Sequence, residues 1–479
     1  MQNRTTPGVT QRPRVRVAAL VLLALAAAYQ CFWRIASENV GGDEATYVKA
    51  GLAYVHGAFE LNREHPPTAK YLFGLAQLVA GDGATGPRVL VGAMVVIGAA
   101  VMFWWLRREV SFWAGYAAAA LWTLTPRGGA GARVDRVALL DPVMTFFALV
   151  ALFAIWMWLR TDRWWWLPLS AVLMAASVTS KVSTLVLLPA FLVAPMLFRK
   201  WRALAIGGPV WLGVFVVTGV ALYAPMGMVS AIRYMLDVQG GQNAGGHPVI
   251  LGGVVHQFAP WWANALFLQE GVGTGVVVVF VVGVLLAAVV RPGRLVVFLA
   301  VPLALLVVFY SFVAKVALPT YYSAWVPFIV LLAAIGLARL AALPPRRLTA
   351  TVSTLLVLVA LVASAPFART VWETRPVGIA RLVPLLRHEG VRSGNVYFAG
   401  ISPSAYVEYV PTGAVRDVRD APFAAIVIGN DERFPPPVEV RDLLTSERSS
   451  FERVRLDDIV VWIPDGEVVA DGTGLTVRR

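Results

Sequence analysis

Apolar runs broken by short polar stretches set the pattern of this chain. A bilayer core of about 30 Å takes about 20 apolar residues as one helix. Eleven runs approach that length: 17–33, 89–106, 110–126, 137–159, 164–180, 182–198, 203–224, 271–290, 295–314, 316–338 and 348–368. Only Lys181 separates the fifth from the sixth. The expected fold is mainly α, a polytopic membrane helical bundle of about 11 transmembrane helices.

Residues 41–71, GGDEATYVKAGLAYVHGAFELNREHPPTAKY, form the first large polar island. Asp43 is placed to cap a helix from Glu44 to about His56, whose face mixes Tyr47, Ala50, Leu52 and Tyr54. Pro66 and Pro67 favour the start of a second helix running through 71–80. Both helices are expected to lie in the membrane interface. Residues 237–247, with GGQNAGGH, read as a flexible loop in the position of a lid. From about 381 onward the composition is that of a soluble domain. Short β-like runs at 395–399, 424–428 and 459–463 alternate with helical stretches at 404–410 and 438–447, as in a small C-terminal α/β domain. The implied boundaries are 1–16 for a cytoplasmic tail, 17–370 for a transmembrane domain and 371–479 for an extracytoplasmic domain.

Composition agrees with the pattern. The chain is 58% hydrophobic and 14% charged, where a soluble domain carries about 25% charged residues. A net charge of +13 would suit a nucleic-acid binder if the arginines gathered on one stretch. They instead punctuate the apolar runs, as topology determinants do. With a cytoplasmic N-terminus, the inner connections hold Arg107/Arg108, Arg160/Arg163, Arg199/Lys200/Arg202, Arg291/Arg294 and Arg346/Arg347. Each is short and basic, as the positive-inside rule requires. Fusing the fifth and sixth runs would send the later basic loops outside, so the hairpin holds and the residues after about 368 fall outside. The basic start (Arg4, Arg12, Arg14, Arg16) has no clean small-residue cleavage site after it and reads as a retained anchor. The single cysteine, Cys31, excludes an intramolecular disulfide.

Candidate chemistry gathers on the outer connections: 43–71, 127–136, Lys181, 225–270 and Lys315. His56, His65, His247 and His256 lie there, and His388 lies in the tail. Asp43 and Glu44 have two readings. They open a helix, worth about 0.3–1 kcal/mol through its dipole, or they supply a general base at the lipid boundary. Glu64 and His65, with Pro66, Pro67 and Lys70, read as a polar turn or as part of a metal site, although two ligands do not specify a metal. Asp141 stands in the first turn of an apolar run, where a charge at mid-membrane would cost about 2.5–3.5 kcal/mol. An ion pair with Arg136 and a place facing an external cavity both answer that cost. Lys181 and Lys315 are cations on the side the topology rule disfavours, explained by tight-turn solvation or by phosphate binding as point charges. Trp261 and Trp262 read as an aromatic belt, and aromatic faces also bind sugars.

Together these stretches resemble a known family. GGDEATY, REHPPTAKY, DRVALLDPVMTFF, SVTSKVS, GGHPVILGG with a following WW, and KVALPTYYSAWVPF occur in the order found in GT-C type polyprenol-phosphate-sugar glycosyltransferases. The chain resembles the protein O-mannosyltransferases and the lipid A aminoarabinose transferases over about residues 10–370. The resemblance implies that Asp43 is the catalytic base, with Glu44 beside it. It puts Glu64 at the position that ligates a divalent cation (Mg, Mn or Zn) in aminoarabinose transferases. There the next residue is usually lysine, whereas this chain has His65, as protein mannosyltransferases do. Arg136 and Asp141 match positions near the donor phosphate and acceptor. His65, Lys70, Lys181, His247, Lys315 and Tyr321 complete the implied donor-phosphate and substrate-binding set. No MIR domain is recognisable, and LFLQEG replaces the usual Lys-Thr-Pro after the aromatic pair.

The function so implied is inverting transfer of a sugar from a polyprenyl-phosphate donor to an acceptor hydroxyl on the external face of the plasma membrane. The acceptor class stays open between protein, cell-wall glycan and glycolipid. Two other classes compete: a transporter or flippase of lipid-linked saccharides, and a non-catalytic partner in cell-envelope assembly. Transport would favour ionisable residues deep in several helices and on both faces, with internal repeats. Here the polar residues gather on one face.

Overall fold

A computed structural model describes residues 13–125, 128–129, 132–391, 393–406, 409–410, 413–471 and 474–478. Most of the expected tail 1–16, and the outer connection at Arg127, lie outside the described residues. Sixteen α-helices come first in the described chain: α1 (Pro13–Phe32), α2 (Asp43–Val55), α3 (Thr68–Ala80), α4 (Thr85–Glu109), α5 (Phe112–Leu124), α6 (Leu140–Thr161), α7 (Trp166–Val178), α8 (Leu188–Leu197), α9 (Gly208–Tyr223), α10 (Met228–Gly245), α11 (Ala263–Val272), α12 (Thr274–Val289), α13 (Arg294–Val308), α14 (Val326–Ala341), α15 (Arg346–Ala363) and α16 (Ala365–Glu373).

Each of the eleven apolar runs contains helix, but not each is a full span. Among the described residues six stretches are long and apolar enough to cross a membrane: Pro13–Ser37, Thr85–Glu109, Leu140–Thr161, Ala203–Met226, Arg294–Val313 and Arg346–His388. A seventh arises if α11 and α12, bent by 113° at their junction, act together. The stretches Trp166–Val178, Val182–Leu197 and Val326–Ala341 are apolar but shorter. The run 316–338 departs most, because its helix begins only at Val326. The residues before it form a loop and a turn of 3-10 helix at Tyr321–Ala324, so part of its length serves a site rather than a span.

The described chain divides into two compact units. One gathers the residues up to Ile35 with Tyr47–Glu373. Its surface is greasy: Leu22 and Leu25 on α1, Leu212 and Val217 on α9, and Leu355 and Val362 on α15 are all exposed, which suits lipid rather than water. Its centre is α6, 78% buried over its most apolar window, and α14, buried continuously from Val326 to Leu337. Between helices in lipid there is little hydrophobic drive to associate, so close backbone packing at small residues takes its place. α12 meets α14 at Gly283 and Gly336, where a Cβ on Gly336 would overlap the Gly283 carbonyl oxygen.

The other unit joins Ala36–Thr46 to Thr374–Arg479. Its central strand, Phe423–Ile428, pairs in parallel with Asn395–Ala399 and antiparallel with Ile459–Pro464. The last strand continues into a hairpin with Phe451–Leu456. Alternate residues supply two cores: Val396, Phe398, Ala425 and Val427 on one face, and Tyr397, Phe423 and Ile426 with Val440 and Leu443 of a helix on the other. That is the period-2 pattern of a sheet covered on both sides.

Gly336→Leu is expected to destabilise the bundle by about 3 kcal/mol or more, because the two backbones must separate. Gly213→Leu, where a Cβ meets nothing within 4 Å, should be near neutral. Thermal unfolding of both variants in detergent reads the contrast.

Candidate active site

Two interfacial helices build one wall. α2 and α3 cross at Gly51 and Gly74, where a Cβ on Gly74 would overlap the Gly51 carbonyl oxygen and one on Gly51 would press on the Lys70 carbonyl oxygen. Only glycine allows backbones this close. The connection between the helices folds back onto Lys70, which is fully buried. Its Nζ donates to Tyr54 Oη at 2.9 Å, to His65 O at 2.8 Å and to Asn62 O. An ammonium has three N–H donors, and all are used. Lys70, expected to meet a donor phosphate, therefore pins the loop that carries Glu64 and His65. Burial pulls its pKa down to about 7, opposed by nearby Glu64.

His65 is half-buried and packs edge-on to Tyr47 of α2, with ring centroids 5.7 Å apart. Loss of water, then the cations Lys181 and Lys70, push its pKa down to about 3. Its ring is thus a neutral hydrogen-bonding group at any physiological pH. Thr68 at the start of α3 joins this wall to the next: its N donates to Thr179 O at 2.8 Å, and the two hydroxyls lie 2.6 Å apart.

The SVTSKVS stretch after α7 forms the floor. Lys181 Nζ donates to Asp141 Oδ1 at 2.7 Å, both side chains being buried, and lies 4.2 Å above the Tyr321 ring centroid. Asp141 and the two tyrosines Tyr321 and Tyr310 raise the Lys181 pKa against the pull of burial, so it stays cationic. Hydroxyls wire the turn: Ser177 Oγ donates to Met144 O and bonds Thr184 Oγ1, while Tyr310 Oη donates to Ser183 Oγ at 2.8 Å. The expected Arg136–Asp141 pair gives way to this one. Arg136 is fully buried and its Nη1 and Nη2 donate to Gln30 O and Trp33 O at 2.7 and 2.6 Å. A planar fork suits two carbonyls at the end of a helix, and the compact ammonium of Lys181 takes the carboxylate.

α10 is hydrogen-bonded to the loop that carries Glu64 and His65. The glycine-rich stretch 237–245, expected as a flexible lid, is helical to Gly245. Gln239 Nε2 donates to Glu64 O at 3.4 Å and Asn243 Oδ1 accepts from Lys315 N at 3.0 Å. These two residues, four apart, share one helix face, and their anchors offset the cost of about 1 kcal/mol per glycine. Arg63 Nη2 donates to Ser230 Oγ on the same helix. His247 follows α10 with a buried Nδ1 that has no hydrogen-bond partner among the described residues. Lys315 is exposed, its Nζ 5.8 Å from the Phe258 ring centroid.

Asp43 opens α2 and is exposed, while Glu44 is 1% exposed and its N donates to Gly41 O. Glu64 Oε1 accepts from Asn62 Nδ2 at 2.7 Å. Among the described residues no three His, Cys, Asp or Glu side chains gather. A lone carboxylate already bonded to an amide and facing Lys70 does not fit a divalent cation held by protein ligands. The expected metal role of Glu64 thus lacks a matching donor set. The sequence reading missed Tyr54, Asn62, Ser183 and Tyr310. For Ser183 alone the sequence holds a signal, the run of hydroxyl residues around Lys181.

Asp141→Asn would leave a buried ammonium without its counter-charge, with an expected cost of about 3–5 kcal/mol. The double change Asp141→Leu with Lys181→Met should cost less, and chemical denaturation of the three proteins compares them. For His65 the folded pKa lies below the unfolded one, so its contribution to stability is full above about pH 6.5 and is lost as pH falls toward about 3. His65→Gln should flatten the fall in thermal midpoint over the acidic part of that window.

Residues 64–228 match the family model described as dolichyl-phosphate-mannose-protein mannosyltransferase. No curated protein sequence matches the chain. Among solved structures, ArnT from Cupriavidus metallidurans bound to undecaprenyl phosphate matches 94% of this chain and 98% of its own, with a TM-score of 0.58 at 13% identity. The archaeal oligosaccharyltransferase AglB from Archaeoglobus fulgidus, in complex with an inhibitory peptide and a dolichol-phosphate, matches 87% of this chain and 69% of its own. Its TM-score is 0.53 at 12% identity. The chain therefore has the GT-C fold of the polyprenol-phosphate-sugar glycosyltransferases, and its residues 64–228 match the mannosyltransferase family among them.

Proposed function

We propose that this chain is an inverting glycosyltransferase of the plasma membrane, moving a sugar from a polyprenyl-phosphate donor to an acceptor hydroxyl on the external face. The N-terminus is then cytoplasmic and the domain from about 371 extracytoplasmic. The observation that carries the reading is the cationic centre, Lys181 held by Asp141 over the Tyr321 ring and acting on the neutral His65 ring. A polyprenyl phosphate, the ligand printed for the ArnT structure, presents the charge such a centre suits. The family match from residue 64 supports the same class.

The donor's tail stays in lipid and its phosphate meets Lys181, with Lys315 as a second, exposed cation. Where water is scarce, fixed positive charge stabilises the negative charge that grows on the leaving phosphate. His65 offers a neutral hydrogen bond to donor or acceptor. Asp43 takes the proton of the acceptor hydroxyl. The freed oxygen pair forms a bond to the anomeric carbon from the face opposite the phosphate, while the carbon–oxygen bond breaks and its pair leaves on the polyprenyl phosphate. One displacement inverts the anomeric centre. Asp43 and Tyr47 are four residues apart on α2, and Tyr47 packs on His65, which supports this reading. The helix N-terminus also favours the ionised carboxylate.

A transporter reading meets one obstacle. Between Asp141 and Arg160, α6 carries no charge over about 30 Å, so the most buried span has no polar path along it. Asp43→Asn should lower transfer about 10²–10⁴-fold with insertion and thermal midpoint unchanged. Purified protein and a panel of radiolabelled polyprenyl-phosphate sugars measure this, and near-normal transfer by the variant would sink the base assignment.

A further inference from the structure

Residues 36–46 precede and enter α2, yet they belong to the same compact unit as the C-terminal domain. Hydrogen bonds hold them there. Asn39 Nδ2 donates to Val377 O at 2.9 Å and its Oδ1 accepts from Val377 N at 3.1 Å, so one side-chain amide satisfies a whole backbone residue. Val40 N donates to Tyr409 Oη at 2.6 Å.

Val377 is fixed through its neighbour. Gly378 N donates to Asp457 Oδ2 at 2.9 Å, and Arg375 and Arg381 each bring a nitrogen within 3.8 Å of that carboxylate. Asp457 sits in the tight turn between strands Phe451–Leu456 and Ile459–Pro464, at φ 50°. Gly378, at φ 51°, leaves room for Asp458, which any Cβ would strike. A continuous series of contacts thus runs from the sheet hairpin through Val377 to Asn39 and Val40.

Beyond that clamp come Gly41 and Gly42, neither with an atom within 4 Å of where a Cβ would stand. Asp43 follows. Two glycines in open space form a link with wide conformational freedom. A carboxylate reached through them keeps one position only if the chain is held on both sides. The buried residues Ala45, Tyr47, Val48 and Ala50 of α2 hold one side, and the clamp holds the other.

We propose that Asn39 and Tyr409, backed by the Asp457 hairpin, are positioning residues that fix the chain delivering Asp43. The inference rests on the reading of Asp43 as the base. Full-length Asn39→Ala, Tyr409→Phe and Asp457→Ala are the variants. Each should raise deuterium uptake at 36–46 and lower kcat for transfer from a polyprenyl-phosphate sugar about 10-fold, a loss of about 1.4 kcal/mol in transition-state stabilisation. The KM for the donor should stay within about twofold and the thermal midpoint should hold, a split that general unfolding would not produce. Asn39→Asp, which keeps the acceptor, should recover part of kcat. Unchanged kcat alongside raised uptake would overturn the catalytic role, and unchanged uptake would overturn the clamp itself. Asp43→Asn run in parallel keeps the two readings apart: normal transfer by it removes the base assignment, whereas the uptake at 36–46 still reports on the clamp.

Discussion

The ion pair between Lys181 and Asp141 is the constraint from which the rest of the membrane unit follows. Two unit charges 2.7 Å apart attract strongly once water is removed, but removing water from each costs several kcal/mol. The pair is tenable only if the remaining lone pairs and protons around it are met. The Tyr321 ring lies 4.2 Å from the ammonium, and hydroxyls fix the turn that carries Lys181: Ser177, Thr184, Ser183 and Tyr310 bond one another there, and Thr68 and Thr179 tie that turn to α3. Such a network is stable when complete and costly when broken. That is why so many hydroxyl side chains interrupt an otherwise aliphatic stretch.

The same logic shapes the interfacial wall. Lys70 is buried to the last atom, and its three donors are matched by three acceptors of the chain itself. It can sit so deep because Gly51 and Gly74 let α2 and α3 touch backbone to backbone. A cation that looks on paper like a phosphate ligand becomes the pin of a loop, and the neutral His65 is what the loop presents. The two groups differ in kind: one lysine held cationic by a carboxylate, and one imidazole kept uncharged by burial and by its cationic neighbours.

Helix ends tell a parallel story. The far end of α6 carries ordinary pairs, Arg160 with Glu109 and Lys200 with Asp162, partly exposed and worth little each. The near end carries the buried pair and the aromatic rings. Polarity at both ends of the span is expected of any membrane helix; a buried ion pair sets the near end apart from the far one.

The residues alone determined the membrane class, because a run of apolar side chains long enough to span lipid has no other stable use. They also determined the helices at 43–55 and 68–80, through an acidic start and a proline pair, and the three main strands of the C-terminal sheet, through short runs of β-forming apolar residues. Charge placement in an apolar chain drew attention to Lys181 and Asp141, and family resemblance to Tyr321, before any geometry was available. Partners were another matter. Arg136 and Asp141 are five residues apart, yet tertiary packing gave the carboxylate to a lysine forty positions on and the guanidinium to the carbonyls of Gln30 and Trp33 at the end of α1. The glycines of 237–245 favour a loop by local propensity, and anchors at Gln239 and Asn243 made them a helix. Apolar length overstated the spans, since the run 316–338 gives its first residues to the loop around Tyr321. Local pattern decides what a segment prefers; only the fold decides which polar atom is left to satisfy another, because that depends on groups distant in sequence and brought into contact away from water.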